Sequence, residues 1–367
     1  MSEKAVLFIG TYTQPILHGT GNVLVGRGQG IYHVELDIET GRFSDSRLVI
    51  GTPNPSYLCL SPCGRYLYAV NELKEYDGKA QGSVSAFALD GERAVLINTK
   101  PTGGTDPCHV AVSHDGKLLV VSNFMSGSIC AYAIGDDGAL CGEGQFFQHE
   151  GAGKDPLRQS GPHAHAAVFD PTDRFVHVPD LGVDEIKTYR YDHAAGKLEF
   201  HASYRAAAGS GPRYCEFHPF NGLCYSINEL GCTIDVLTWD AQTGKLDRLD
   251  TVSTVSPDYE GKTICAALRI TPDGRYVYGS NRGHDSIAAF SVQPDGRLKS
   301  GGFFPSGGKT PRDFTINSTG RYLIAANQDS DIVTAFVIDP DSGRLRLTDE
   351  LRIPTPVCVL GHGKIDR

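Results

Sequence analysis

Six segments of this chain are copies of one another, and nothing else in the sequence restricts its fold as strongly. They read SPCGRYLYAVN from Ser61, SHDGKLLVVSN from Ser113, DPTDRFVHVPD from Asp170, HPFNGLCYSIN from His218, TPDGRYVYGSN from Thr271 and NSTGRYLIAAN from Asn317. Ten residues after each start stands Asn71, Asn123, Asp180, Asn228, Asn281 or Asn327. The starts are 52, 57, 48, 53 and 46 residues apart, a period that signals a propeller or a solenoid. Within each unit an alternating run leads through a Pro/Asp/Gly turn into a second alternating run, the pattern of a β-hairpin. A third run follows, as in Ser286-Ile-Ala-Ala-Phe-Ser-Val292, and then a second turn with a bulky apolar residue behind it: TGRF, DGAL, AGKL, TGKL, DGRL or SGRL.

Four strands per unit of about fifty residues is one propeller blade, and blades closed into a ring leave few strand edges exposed. A seventh unit is divided between the two ends. Ala5–Gln14 resembles a second strand and Gly30–Leu36 a third, while Thr355–Leu360 supplies the missing first strand. The expected fold is therefore all-β, a seven-bladed β-propeller of four-stranded antiparallel blades occupying residues 1–367 as one domain. Forty-three Gly and twenty Pro agree with many turns. Segment 14–29 is longer than other loops at its place, and is expected to be a surface insertion or a flap over one mouth of the channel.

The formal charge of −9 argues against nucleic acid or an anionic membrane as a partner. No apolar run approaches the length of a membrane span, and the N-terminus lacks the pattern of a signal peptide. Ten scattered Cys show neither paired metal spacing nor a disulfide framework. A cytoplasmic protein is expected, with no cofactor, no nucleic-acid partner, and a monomer as a plausible state.

Positions at which the repeats disagree are candidates for chemistry. At the start of the first strand stand Ser56, Cys108, His165, Arg213, Ala266, Arg312 and Val357; just past the second strand stand Glu72, Phe124, Leu181, Glu229, Arg282, Gln328 and Thr11. Hairpin arithmetic places Arg213 opposite Asn228 and His165 opposite Asp180, so both sets meet at one mouth of the channel. A base, two cations and a carboxylate at one concavity form a candidate site: His165, Arg213, Glu229 and Arg282, with Arg312 and His163 as candidate substrate-binding residues. The His163-x-His165 pair invites a metal reading, but no third ligand has a recognisable spacing, so no metal is expected.

The chain also resembles the seven-bladed-propeller lactonases, a family that includes bacterial 6-phosphogluconolactonase and fungal carboxymuconate lactonizing enzyme. The resemblance rests on FIGTYT, HAHAAVFDP, GSGPRY, INELG, ITPDGRYVYGSNRGHDSI and TPRDF…GRYLIAANQDSDIV, and it covers nearly the whole sequence. It implies a functional set of His165, Arg213, Glu229 and Arg282. It further implies hydrolysis of 6-phosphogluconolactone, a small anionic lactone of the pentose phosphate pathway, with muconate cycloisomerisation as the alternative. The commoner family form has His where this chain has Tyr214. Such chemistry calls for His165 as base, for Arg213 or Arg282 at the oxyanion with the other on a substrate anion, and for Glu229 to orient them or to protonate the leaving alkoxide. A non-catalytic protein-binding propeller is the remaining alternative, although Trp239-Asp240 occurs once and no Trp-Asp blade ending recurs.

Overall fold

The computed structural model describes residues 3–17, 23–90 and 93–362. Seven four-stranded antiparallel sheets follow one another along the chain. Blade 1 takes its innermost strand from Pro356–His362, which pairs with Lys4–Thr11. Blades 2 to 7 begin at Leu58, Pro107, Val168, Pro212, Ile264 and Pro311 and run outward in chain order. Innermost strands pack side by side from blade 5 through blades 6, 7, 1, 2 and 3 to blade 4, and between blades 4 and 5 the second strand of blade 4, Phe175–Asp180, meets the first of blade 5. Pro356–His362 lies between the first strands of blades 7 and 2. No helix among the described residues is long and apolar enough to cross a membrane.

The alternation that announced the strands becomes a set of cores lying between blades rather than within them. Tyr225, Ile227 and Val236 of blade 5 pack with Leu268, Val277 and Phe290 of blade 6. Tyr278 and Phe314 join blades 6 and 7 in the same way. A single blade cannot bury both of its faces, so closure of the ring is what stabilises each one.

The repeated tyrosine stitches neighbours together. The hydroxyls of Tyr68, Tyr225 and Tyr278 donate to the carbonyls of Gly138, Gly296 and Gly343 in the second turn of the following blade, at 3.1, 2.8 and 2.8 Å. Those three glycines have φ of 79°, 82° and 67°, a left-handed backbone that a side chain would strain.

Three of the five repeated asparagines share an equally definite task. Asn123, Asn281 and Asn327 each donate through Nδ2 to the carbonyl of Thr102, Thr254 or Ser306, the residue that leaves the preceding blade. The exception, Asp180, meets a different partner: its Oδ2 lies 2.6 Å from His149 Nδ1, and its Oδ1 accepts from the amide of His163 at 2.7 Å. An imidazole at the linker calls for an acceptor, and the repeat supplies one. Asn281→Ala is expected to leave the buried Thr254 carbonyl unpartnered and to lower stability by about 1–3 kcal/mol. Thermal or urea unfolding measures this, and an unchanged midpoint would contradict the role.

Candidate active site

The inner strands do not enter their hairpins in simple register. Pro212 lies opposite Asn228 and Tyr214 opposite Ile227, so Arg213 is an extra, bulged residue. Cys108, Arg312 and Val357 are bulged in the same way behind Pro107, Pro311 and Pro356. In blade 4, Ala164 rather than His165 lies opposite Asp180. Direct pairing of Arg213 with Asn228 and of His165 with Asp180 is therefore corrected by one residue. A bulge turns the extra side chain out of the strand's alternation, and here it turns Arg213 and Arg312 into the channel. Proline at the first strand position is tolerated because no ladder donor is required there.

Above the bulges a bay opens at one mouth, lined by Glu72, Cys108, Phe124, Arg158, His165, Glu229, Arg282 and Arg312 among others. At its centre is Glu229, whose residue surface is only 2% exposed. Its Oε2 accepts from Arg213 Nε at 3.0 Å and from Arg282 Nη2 at 2.6 Å, while Oε1 accepts from Arg158 Nη2 at 2.5 Å. Burial alone would raise this carboxyl, but Arg282, Arg158 and Arg213 together hold it well below the usual carboxylate range. Arg213 and Arg282 are fixed further by the carbonyls of Ala266 and Cys265, at 2.6 and 2.7 Å. Burial and then the neighbouring Arg282 lower the Arg213 guanidinium to about 10, which leaves it charged at neutral pH.

Arg312 belongs to a second group. Its Nη2 lies 3.3 Å from Glu72 Oε2, which also accepts from the Tyr12 hydroxyl at 2.9 Å, and its guanidinium sits 5.0 Å from the centre of the Tyr12 ring. Tyr12 comes from the FIGTYT segment.

His165 stands where the bay meets a deeper chamber that it lines together with Arg213 and Arg312. Burial, reinforced by Arg213 and only partly offset by Glu229, pushes its imidazole well below the ordinary histidine range. It is held neutral at physiological pH, and its Nδ1 lies 3.8 Å from Cys108 Sγ. Its ring meets Phe124 edge-on at 5.4 Å.

His165, Arg213, Glu229, Arg282 and Arg312 thus gather in one place. His163 does not join them. Its Nδ1 lies 2.9 Å from the Phe124 carbonyl and its ring stacks on Phe124 at 4.7 Å, so it braces a wall of the bay. A shared face for His163 and His165 would have required regular strand, whereas the strand of blade 4 begins only at Val168.

Glu72 is the repeat equivalent of Glu229, so its place was open to the same register argument. Arg158 carried no such signal because it lies off the blades, in the loop before His163. The 14–29 segment contributes a two-stranded ladder, Pro15–Leu17 with Val23–Val25; residues 18–22 lie outside the described residues. Ile16 is buried against Tyr12 and Val357, and Ile16 and Leu17 line the bay. This part of the segment is a wall of the bay.

Tyr214 faces the deeper chamber, with the Arg269 guanidinium 4.9 Å from its ring. Arg269 pairs with Asp313 at 3.0 Å. Nearby, Glu216 accepts from the Ile270 amide through Oε1, and its Oε2 has no partner among the described residues. Burial, opposed by Arg269, pushes the Glu216 carboxyl up to about 7. Between the unfolded value near 4.5 and about 7, the folded protein holds a proton that the unfolded chain has released. The resulting stabilisation is complete below about 4.5 and disappears as pH rises through about 7. Glu216→Gln should therefore melt a few degrees above the parent at pH 9 and close to it at pH 5. The same difference at both pH values would contradict a titrating Glu216.

A closed propeller gathers an imidazole and clustered guanidinium groups at one channel mouth. The chain belongs to the seven-bladed β-propeller lactonase family, whose description, "Lactonase, 7-bladed beta-propeller", matches residues 6–361. It is 33% identical to a 6-phosphogluconolactonase of Bacillus subtilis over 97% of this chain and 98% of that protein. A 6-phosphogluconolactonase of Formosa agariphila is 32% identical over 79% of this chain and 83% of its own. Among solved structures, a periplasmic gluconolactonase of Pseudomonas aeruginosa superposes with a TM-score of 0.89 at 30% identity, covering 98% of this chain and 99% of that one. The protein is a lactonase.

Proposed function

We propose that this lactonase hydrolyses 6-phosphogluconolactone and that His165, Arg213, Glu229, Arg282 and Arg312 carry the reaction. The observation that supports this most strongly is the His165 imidazole lining one chamber with the buried Arg213 guanidinium, which Glu229 and the Ala266 carbonyl hold in place. His165 removes a proton from water as the oxygen attacks the lactone carbonyl. The carbonyl oxygen gains negative charge, and Arg213, the deeper of the two arginines on Glu229 Oε2, stabilises it without having to reorganise. The imidazolium then returns the proton to the ring oxygen as the C–O bond breaks. Of the two roles open to Glu229, proton donation does not suit a carboxyl held ionised by three arginines. It acts by orienting them.

The relatives named 6-phosphogluconolactonase support this substrate. Disappearance of 6-phosphogluconolactone, measured beside a carboxymuconate assay, tests the reading. Turnover of the lactone alone is expected, and turnover of the muconate alone would replace it. We also propose a cytoplasmic location, consistent with ten free thiols in a compartment that keeps thiols reduced. The Pseudomonas relative is named as periplasmic, so cell fractionation is the deciding measurement.

A further inference from the structure

Arg158 is the member of the cluster that no blade supplies. Its loop is tied down rather than loose. The buried Gln159 side chain donates to the Leu181 carbonyl at 2.8 Å and to Asp184 Oδ1 at 2.7 Å, while its Oε1 accepts from the Asp155 amide at 3.0 Å. Asp155 Oδ1 in turn caps the amides of Leu157 and Arg158. Asp184 also receives the amides of Gly209 and Gly211, which fastens the loop to the segment entering blade 5. On this anchored turn Leu157 points outward, 86% exposed, and Arg158 points inward onto Glu229.

The charges around Glu229 do not balance. Three guanidinium groups share one carboxylate, leaving two positive charges. The other pairs facing the bay, Arg312 with Glu72 and Lys74 with Asp106, each cancel, and His165 is neutral. In addition, Arg282 Nε is buried with no partner among the described residues. Depth separates the arginines. Arg213 and Arg312 reach the inner chamber beside His165, whereas Arg158 and Arg282 line only the outer bay. A phosphomonoester carries close to two negative charges at pH 7 and presents three acceptor oxygens.

From this charge and this layering we propose that Arg158, together with Arg282, binds the phosphate of the substrate and makes the enzyme selective for a phosphorylated lactone over its neutral counterpart. The proposal rests on the lactonase reading, and it assigns to the outer bay the end of the substrate remote from the carbonyl at His165. Arg158 exchanges part of its contact with Glu229 for a phosphate oxygen when substrate enters.

The test compares kcat/KM for 6-phosphogluconolactone and glucono-δ-lactone in the parent protein, Arg158→Gln and Arg158→Lys. It is paired with calorimetric titration of inorganic phosphate into each protein. In Arg158→Gln the preference for the phosphorylated lactone should fall at least tenfold, chiefly through KM, and phosphate affinity should fall by a similar factor. Arg158→Lys should recover part of both. Equal losses on the two lactones with phosphate affinity unchanged would overturn the proposal and reduce Arg158 to a support for Glu229. If the parent opened no lactone, the proposed function would fail, and the phosphate titration would still decide whether Arg158 holds the anion.

Discussion

Glu229→Gln is expected to damage stability and catalysis together. The substitution keeps the shape of the side chain and removes the one charge that Arg158, Arg213 and Arg282 share. All three guanidinium groups are mostly buried, and removing the partner of a buried ion costs about 3–5 kcal/mol because the remaining charge is left uncompensated. For a chain of this size that corresponds to a fall of about 4–6 °C in melting temperature. Turnover should fall roughly 100- to 1,000-fold, the scale seen when a preorganised oxyanion donor is lost. The ring should still close, since its inter-blade cores do not involve this residue, and the circular dichroism of a sheet protein should persist. Inorganic phosphate should raise the melting temperature of the variant more than that of the parent, because an anion then finds three unneutralised arginines. A variant as stable and as active as the parent would remove Glu229 from the centre of the account.

His165→Asn separates chemistry from stability. The replacement removes the proton acceptor while retaining a polar side chain, so kcat should drop about 100- to 10,000-fold, the usual contribution of a general base. The melting temperature should change little. The parent's pH profile adds a second check. The folded site holds the imidazole well below its ordinary value, so the basic form persists through mildly acidic conditions. kcat at saturating substrate, which titration of the free substrate's phosphate does not enter, should accordingly stay level from pH 8 to below pH 6, with its acid limb appearing only beyond that. An acid limb centred near 6.5 would mean an imidazole that feels neither burial nor Arg213. Near-normal turnover by His165→Asn would remove it as the base.

The blade repeat was legible because every blade solves the same packing problem. Alternation, turn glycines and the inter-blade tyrosines must recur wherever identical faces meet. Closure by Pro356–His362 against Lys4–Thr11 followed from the same logic. The bulges behind Pro107, Pro212, Pro311 and Pro356 were not legible. Counting back from a turn assumes one residue per ladder step, and a bulge adds a residue without altering the hydrophobic pattern around it. The error moved Arg213 and His165 by one ladder position and left them at the same mouth.

His163 and Arg158 mark the limits of register reasoning in opposite directions. His163 sits two residues from His165, yet the chain there is not regular strand, so spacing did not predict its face; a carbonyl of blade 3 took its nitrogen. Arg158 has no repeat counterpart, and its arrival at Glu229 depends on Gln159 burying its amide under Leu181 and Asp184, a tertiary arrangement without local periodicity. Asp180 lay between these cases. Its departure from asparagine was visible, and the His149 imidazole that explains it became apparent only once the linker was folded beside it.

A crystal structure of the protein with bound 6-phosphogluconate, the product of lactone opening, shows whether His165 and the arginines form one substrate site. The new carboxylate should lie within hydrogen-bonding distance of His165 and Arg213, with the phosphate further out between Arg158 and Arg282. Product bound at any other face, or with its carboxylate turned away from His165, would contradict a shared site built by unlike residues at the ends of separate blades.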